Sequence, residues 1–267
     1  MKTSFQTSFF KIVPGLAFSL VICWPAHAPA WGPDAHRIVG MIADRNLVLE
    51  VRNKIRQDFN ITSLANVANW ADHVRDQRSQ GRWHYANVRE GERAYVRERD
   101  CPQGDCVVEK VREFSKALSE DSLRHERIES VKYLVHLVAD LHQPLHLGNK
   151  KDRGGNKIQI VHRGETTNLH ALWDSGLVYS AGENLLQYAH RLDRRVSKDN
   201  RLLWTRSGVV DWANESREQA LDLAYDRQVT ATGILNKTYI RKARDTLELR
   251  LSQAGVRLAH LLNTLLK

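Results

Sequence analysis

The sequence predicts an all-α fold, a single mostly helical domain with a short β-hairpin or extended loops. Over most of the chain, apolar residues recur every three or four positions, which is the spacing of an amphipathic helix. One short segment, KIQIVH at 157–162, alternates in the manner of a strand. No internal repeat, low-complexity tract or linker interrupts the chain after residue 30. One domain over residues 31–267 is therefore the simplest interpretation.

The first helix is expected to begin at Pro33 and Asp34. Proline is common in the first turn of a helix, and an acidic side chain there stabilises the helix through its dipole. A second amphipathic segment ends near Phe59. Further helices are expected over 64–77, 107–118, 121–141, 168–178, 183–198, 207–224 and 237–266. The 121–141 helix should end before Pro144, because proline disfavours helix at the residue before it. Between these helices lies the long segment 81–105, and loops of that length are often functional.

Residues 1–30 have the pattern of a cleaved signal peptide. Lys2 and Lys11 precede an apolar run over 12–24, and Ala28-Pro29-Ala30 supplies the small residues of a cleavage site. The run is short for a membrane span, although an uncleaved anchor is the alternative. We expect a secreted or periplasmic protein without stable membrane association, whose mature chain begins at Trp31.

Charge and cysteine content narrow the partners and the compartment. The formal net charge is +9, and it falls to +7 without residues 1–30. A basic excess favours nucleic acid or an anionic membrane surface, but it also serves solubility alone. Two cysteines of the mature chain, Cys101 and Cys106, flank a turn with proline and glycine. A local disulfide is favoured there over free thiols or metal ligands.

Histidine and aspartate recur at a spacing that suits a metal site. His136 and Asp140 lie four residues apart on one expected helix, and His170 and Asp174 repeat this arrangement on another. A single pair of this kind is usually only a surface pair. Two pairs on apolar helices, with more such residues nearby, favour a site for zinc, which takes nitrogen and oxygen ligands. The additional candidates are His36, Asp72, His84 and His146.

Taken together, six motifs resemble a known family. They are WGPDAH, NWAD, RWHYAN, HLVADLHQPLH, DRGGN and NLHALWD. Their combination is similar to the zinc-dependent, single-strand-preferring nucleases of the S1/P1 type. The resemblance implies a helical fold with three zinc ions in a cleft. The implied ligands are Asp72, His84, His136 and Asp140 for one ion, His146, His170 and Asp174 for a second, and His36, Asp140 and the backbone amine and carbonyl of Trp31 for the third.

The resemblance also implies what the site does. It predicts hydrolysis of phosphodiester bonds in single-stranded DNA and RNA to 5′-phosphorylated products, with Asp72 and Arg75 at the catalytic centre. Tyr85 is expected to stack on a base and Asn156 to contact a base edge. Core packing for Tyr85, a turn role for Asn156 and a solvated surface position for Arg75 are the alternatives. Asn87 occupies a position that is acidic in some fungal members, so no acid catalyst is assigned there.

Three other functions remain open at this point. A zinc-dependent phospholipase C of the same superfamily has a similar site, but with a longer gap than Trp31 to His36 and typically with glutamate in place of Asp174. A secreted zinc- or nucleic-acid-binding protein without catalysis is the second alternative. A missing ligand would support it, but all nine expected positions are filled. A nucleotidase acting on 3′-phosphates would use the same residues on free nucleotides. The sequence does not determine the oligomeric state, and a monomer is favoured.

Overall fold

The computed structural model describes residues 31–120, 123–179 and 183–267. The α-helices are α1 (Pro33–Asn46), α2 (Leu49–Phe59), α3 (Leu64–Val67), α4 (Trp70–Arg75), α5 (Arg97–Asp100), α6 (Val107–Ser119), α7 (Arg124–His142), α8 (Leu169–Ala171), α9 (Leu177–Tyr179), α10 (Leu185–Arg195), α11 (Lys198–Trp204), α12 (Val209–Gln219), α13 (Arg227–Thr232) and α14 (Lys237–Leu265). Two 3₁₀ turns, Gly81–His84 and Pro144–Leu147, and two π-helical turns, Leu172–Gly176 and Ala220–Ala224, join them. The predicted all-α class is confirmed.

Helix α7 lies at the centre of the bundle and is buried almost continuously from Ser130 to His142. Helices α1, α6 and α14 pack around it, and α1 and α14 also pack closely on each other. The α1–α14 crossing requires Gly255, because a Cβ atom there would overlap the side chain of Ile42. Gly40 serves the same purpose against α3, where a Cβ would meet Ala65. The centre of the bundle is therefore fixed by close helix contacts around α7.

A two-stranded antiparallel hairpin confirms the predicted strand at 157–162. Strand β1 (Gln159–His162) pairs with β2 (Glu165–Asn168), with His162 opposite Glu165 at the turn end. Arg163 and Gly164 both have positive φ, 55° and 85°, as expected for a two-residue turn that follows the twist of the strands. Asn168 ends β2 and accepts a hydrogen bond from the Ala171 amide, which starts the next helix.

The expected helix over 64–77 is wrong in one respect, because the structure divides it into α3 and α4. The break falls at Ala68 and Asn69, and Asn69 has non-helical torsion angles of −100° and 3°. The Ala68 carbonyl accepts a hydrogen bond from His136 Nδ1 at 2.7 Å, since a carbonyl can only accept. A tertiary contact made by a buried histidine therefore accompanies the interruption of the helical pattern.

The expected signal peptide, residues 1–30, lies outside the described residues. Within the described part of the chain, none of the helices has both the length and the apolar character needed to span a membrane.

Candidate metal centre

The predicted ligands come from seven separate elements that meet at one buried place. They are His36 on α1, Asp72 on α4, His84 at the end of the first 3₁₀ turn, His136 and Asp140 on α7, His146 in the second 3₁₀ turn, His170 on α8, and Asp174 in the first π-helical turn. All of these side chains except that of Asp72 belong to buried residues, and the Asp72 side chain is 14% exposed.

Two histidines of the first predicted site lie against one oxygen of Asp140, and Asp72 lies near the same histidines. Asp140 Oδ2 lies 2.9 Å from His84 Nδ1 and 3.1 Å from His136 Nε2. Asp72 Oδ1 lies 3.7 Å from each of the same two ring nitrogens. His36 stacks on His136 with ring centroids 3.8 Å apart. The first predicted site therefore offers two histidine nitrogens and two carboxylate oxygens as potential metal ligands.

The other oxygen of Asp140 faces the remaining two groups. Oδ1 lies 3.4 Å from His36 Nε2 and 3.4 Å from His146 Nδ1. Asp140 thus stands within reach of side chains from all three predicted sites, which is the arrangement that a bridging carboxylate requires.

The residues predicted to hold the second ion form a compact cluster beside this one. His146 Nε2 lies 3.7 Å from Asp174 Oδ1, and His170 Nε2 lies 3.3 Å from Asp174 Oδ2. One potential ligand atom from each of these three residues lies within 4.8 Å of the others. Their geometry suits a shared cation.

Hydrogen bonds from outside the cluster orient its ligands. His136 Nδ1 donates to the Ala68 carbonyl, and His170 Nδ1 donates to the Gly154 carbonyl at 2.6 Å. Each bond leaves Nε2 as the nitrogen that faces the cluster. The Gln143 amide donates to Asp174 Oδ1 at 2.7 Å. Gln143 is a residue that sequence reasoning missed, although its position directly before Pro144 inside a ligand motif could have indicated it.

The electrostatics of the cluster favour bound positive charge. Burial works to raise the pKa of Asp140, but His136 and His146 outweigh it and hold that pKa well below the usual range. Burial works to lower the pKa of His136, but the carboxylates of Asp140 and Asp72 raise it to about 9. Burial lowers the pKa of His36, which favours the neutral imidazole that binds metals.

Several buried polar atoms of the cluster lack a hydrogen-bond partner within the described residues. They are both ring nitrogens of His36, Asp72 Oδ1, Asp140 Oδ1, His146 Nδ1 and Asp174 Oδ2. An unsatisfied buried polar atom is costly unless another group pairs with it. These atoms are imidazole nitrogens and carboxylate oxygens, which are ordinary zinc ligands. The residues present therefore fit zinc.

Trp31 is fully buried, and its neighbour Gly32 contacts the second cluster. The amide of Gly32 donates to the carbonyl of Asp174 at 2.9 Å, which fixes the start of α1 against the π-helical turn. A Cβ atom at Gly32 would overlap Ser175, so the close approach depends on glycine. The structure thus holds the backbone around residue 31 near the candidate metal centre.

The predicted substrate-contacting residues occupy different surroundings. Arg75 Nη1 lies 3.5 Å from Asp72 Oδ1, and its side chain is 15% exposed, so it is not a solvated surface arginine. Tyr85 is half-buried directly after His84. The Asn156 amide donates to the Arg153 carbonyl at 2.8 Å, which is a turn contact. Asn87 lies against the Gly154 loop.

Buried arginines behind the centre were not expected from the sequence. Arg250 Nε donates to the His142 carbonyl at 3.2 Å, and Ser216 Oγ donates to the Leu141 carbonyl at 2.5 Å. These bonds satisfy carbonyls at the C-terminal end of α7, which carries two predicted ligands. Arg217 donates to the Leu147 carbonyl at 3.1 Å, next to His146.

The predicted disulfide is confirmed. Cys101 and Cys106 are bonded across a turn, with their Cα atoms 5.9 Å apart. Gly104 adopts a positive φ of 72° within that turn. The bridge lies directly before α6, which packs on α7.

The fold and the cluster define an all-α protein with a candidate metal centre, and comparisons with known proteins identify the family. A family model described as S1/P1 nuclease matches residues 31–267, so the chain belongs to the S1/P1 nuclease family. The resemblance noted from the motifs is confirmed, and the protein is an endonuclease of the phosphodiester-hydrolysing type, in a family for which zinc dependence is general.

Curated relatives match along nearly the whole chain. Endonuclease 3 of Arabidopsis thaliana is 30% identical over 269 residues, covering 88% of this chain and 89% of the relative. Nuclease P1 of Penicillium citrinum is 27% identical, covering 87% and 97%. Nuclease S1 of Aspergillus oryzae is 28% identical, covering 86% and 89%.

Proposed function

We propose that the protein is a secreted endonuclease that uses three zinc ions to hydrolyse single-stranded DNA and RNA to 5′-phosphorylated products. The observation that carries the proposal is the position of Asp140, whose two oxygens lie within 3.4 Å of His84, His136, His36 and His146. A carboxylate in that position can bridge cations that act on one phosphate.

In this proposal three groups of ligands would hold the ions, and Asp140 belongs to two of them. Asp72, His84, His136 and Asp140 hold the first, and His146, His170 and Asp174 hold the second. His36, Asp140 and the backbone amine and carbonyl of Trp31 hold the third. The amine of Trp31 is free only after residues 1–30 are removed, so export and completion of the site are linked. When bound, zinc supplies Lewis-acid chemistry, which offsets phosphate charge and makes water more acidic.

The protein's own side chains bind and orient the substrate. The Arg75 guanidinium, held beside Asp72, donates hydrogen bonds to phosphate oxygens whose charge grows in the transition state. Tyr85 offers a half-buried ring next to His84 on which an unpaired base can stack. Stacking needs the base out of a duplex, which favours single strands. The Asn156 side chain contacts the base edge after it releases its hydrogen bond to the Arg153 carbonyl.

The test compares three classes of substrate with the zinc-loaded chain 31–267. We expect cleavage of a single-stranded oligonucleotide to 5′-phosphorylated products, lost with a chelator and restored by zinc. Release of phosphate from 3′-nucleotides at a lower rate would agree with the same site. Hydrolysis of phosphatidylcholine in place of the oligonucleotide would contradict the proposal and support a phospholipase. Zinc binding without turnover of any substrate would support a binding protein.

A further inference from the structure

A cavity outside the metal centre is lined by elements that also carry metal-ligand candidates. It has a volume of about 440 Å³ and lies between α1, α3, α4 and α7. Its polar and aromatic lining consists of Arg37, Asn66, Asn69, Trp70, His73 and Lys132. None of these residues belongs to the ligand set described above.

The backbone segments that carry the first and third metal groups also line this cavity. Arg37 follows His36, and His73 follows Asp72. Lys132 lies one helical turn before His136 on α7, about 6 Å along the axis. Asn69 follows Ala68, whose carbonyl accepts the hydrogen bond from His136. The same four backbone segments therefore position both the cluster and the cavity.

The lining is cationic and contains no carboxylate. Lys132 forms no salt bridge within the described part of the chain, and its ammonium lies 4.8 Å from the centre of the Trp70 ring. Arg37 has a single salt bridge there, to Asp34 at 3.8 Å, with both side chains partly exposed, and such a pair is weak. By contrast, a cavity of about 350 Å³ next to Lys150 includes Glu90 and Asp100, which offset its cations.

One residue of the lining carries an unsatisfied acceptor. Asn69 Oδ1 is buried and has no hydrogen-bond partner among the described residues. Asn69 precedes α4, but its side-chain oxygen accepts no hydrogen bond from the backbone amides of the first turn of that helix. A ligand with a hydrogen-bond donor, such as the exocyclic amine of a nucleobase, would satisfy this oxygen.

We propose that this cavity binds a nucleotide of the substrate strand beside the cleaved bond, with Arg37 and Lys132 on its phosphate and Asn69 on its base. The inference rests on the proposed nuclease function and deepens it. Two cations in a lining without carboxylates suit a phosphodiester, and the lining elements α1, α4 and α7 also carry His36, Asp72 and His136. The site would make the enzyme prefer longer strands to dinucleotides.

The test uses a charge-matched pair of double variants of the zinc-loaded chain 31–267. In one, Arg37→Gln and Lys132→Gln remove the cavity's two strongest cations. In the control, Lys198→Gln and Arg227→Gln remove two exposed cations on α11 and α13. For each protein, kcat/KM is measured on a single-stranded dodecamer and on a dinucleotide. The ratio of the two values is the readout, since a general loss of folding or metal would leave it unchanged.

We expect the dodecamer-to-dinucleotide ratio to fall about tenfold in the cavity variant and to stay constant in the control. Binding of a cleavage-resistant phosphorothioate dodecamer to the cavity variant should also depend less on the salt concentration. The slope of log K against log salt should shrink by about 1.4, which corresponds to two phosphate contacts on a single strand. Equal ratios and slopes in the two variants would overturn the inference. Failure of the unmodified enzyme to cleave any strand would instead overturn the proposed function.

Discussion

Asp140 organises the centre at the scale of single residues. It is fully buried, and four histidine nitrogens from four different elements lie within 3.4 Å of its two oxygens. The low pKa of its carboxyl keeps it charged, because His136 and His146 outweigh the effect of burial. One side chain therefore links groups that would otherwise be separate sites.

Replacing Asp140→Asn should abolish most activity. The amide keeps the shape but loses the charge that two ions would share, so we expect kcat/KM on a single-stranded oligonucleotide to fall more than about 100-fold. His162→Ala is the control, because His162 lies in β1 outside the cluster. Equal activity of the two variants would refute the assignment of the site.

Arg75 should act on catalysis and not on metal retention. Arg75→Gln removes hydrogen bonds to the phosphate, and we expect kcat to fall about 100-fold while the zinc content stays the same. Arg78→Gln is the matched control, since Arg78 lies three residues later and pairs with Glu129 at 2.8 Å. A loss of zinc in the Arg75 variant, or an equal loss of kcat in both, would contradict the assigned role.

The sequence is informative about residues whose chemistry is local and uninformative about residues whose burial depends on distant partners. Pairs four apart, such as His170 and Asp174, indicate one shared helix face from their spacing alone. Arg250 and Arg257 have the sequence context of exposed helix positions, but both are buried. Their partners, Glu215 and His142, are 35 or more residues away, so no local pattern could reveal them.

At the scale of elements, ligand positions depend on how helices end and bend. Helix α7 ends at His142, and the 3₁₀ turn that begins at Pro144 places His146 near Asp174. Arg250 and Ser216, on α14 and α12, bond the last carbonyls of α7. The short helices α11 and α13 were missed from the sequence, because six or seven residues show little periodicity. Their caps, Ser197 and Asp226, were the available signal.

The ion pairs behind α7 should make stability depend on pH. Burial works to raise the pKa of Glu215, but Arg257 and Arg250 outweigh it and hold that pKa below its ordinary value of 4.5. The pairing therefore stabilises the fold fully above about pH 4.5 and is lost as the pH falls through the lowered pKa.

Glu215→Gln should lower the free energy of unfolding by about 2 kcal/mol at pH 7. The deficit relative to the unmodified protein should shrink below about pH 4.5, because Glu215 then becomes protonated in that protein. Urea unfolding at several pH values measures both effects. Glu218→Gln, an exposed change on the same helix, should show neither. A deficit that is independent of pH would show that the ion pair is not its source.

At the scale of the whole molecule, the fold surrounds a charged centre in which several buried polar atoms have no hydrogen-bond partner among the described residues. Helices α1, α6 and α14 enclose α7. The ligand candidates outside α7 lie on α1, on the short helices α4 and α8, and in 3₁₀ and π-helical turns. The unpartnered nitrogens and oxygens, counted among the described residues, lie at the meeting point of these elements. Bound ions should therefore stabilise the fold as well as catalyse the reaction.

Processing before Trp31 should complete the third site. A chain that retains residues 1–30 lacks a free amine at Trp31, so we expect it to bind about one zinc ion fewer than the chain 31–267 does. Metal analysis after dialysis compares the two forms directly. Equal zinc content in both would show that the N-terminal amine is not a ligand.

The most direct test of the trinuclear centre is to titrate zinc into metal-stripped chain 31–267 while following hydrolysis of a single-stranded oligonucleotide. We expect about three zinc ions to bind per chain and activity to return only as the shared sites around Asp140 fill. The Asp140→Asn variant should neither bind the full set nor recover. Full activity in stripped protein, or recovery with a single equivalent of zinc, would contradict a centre built on this carboxylate.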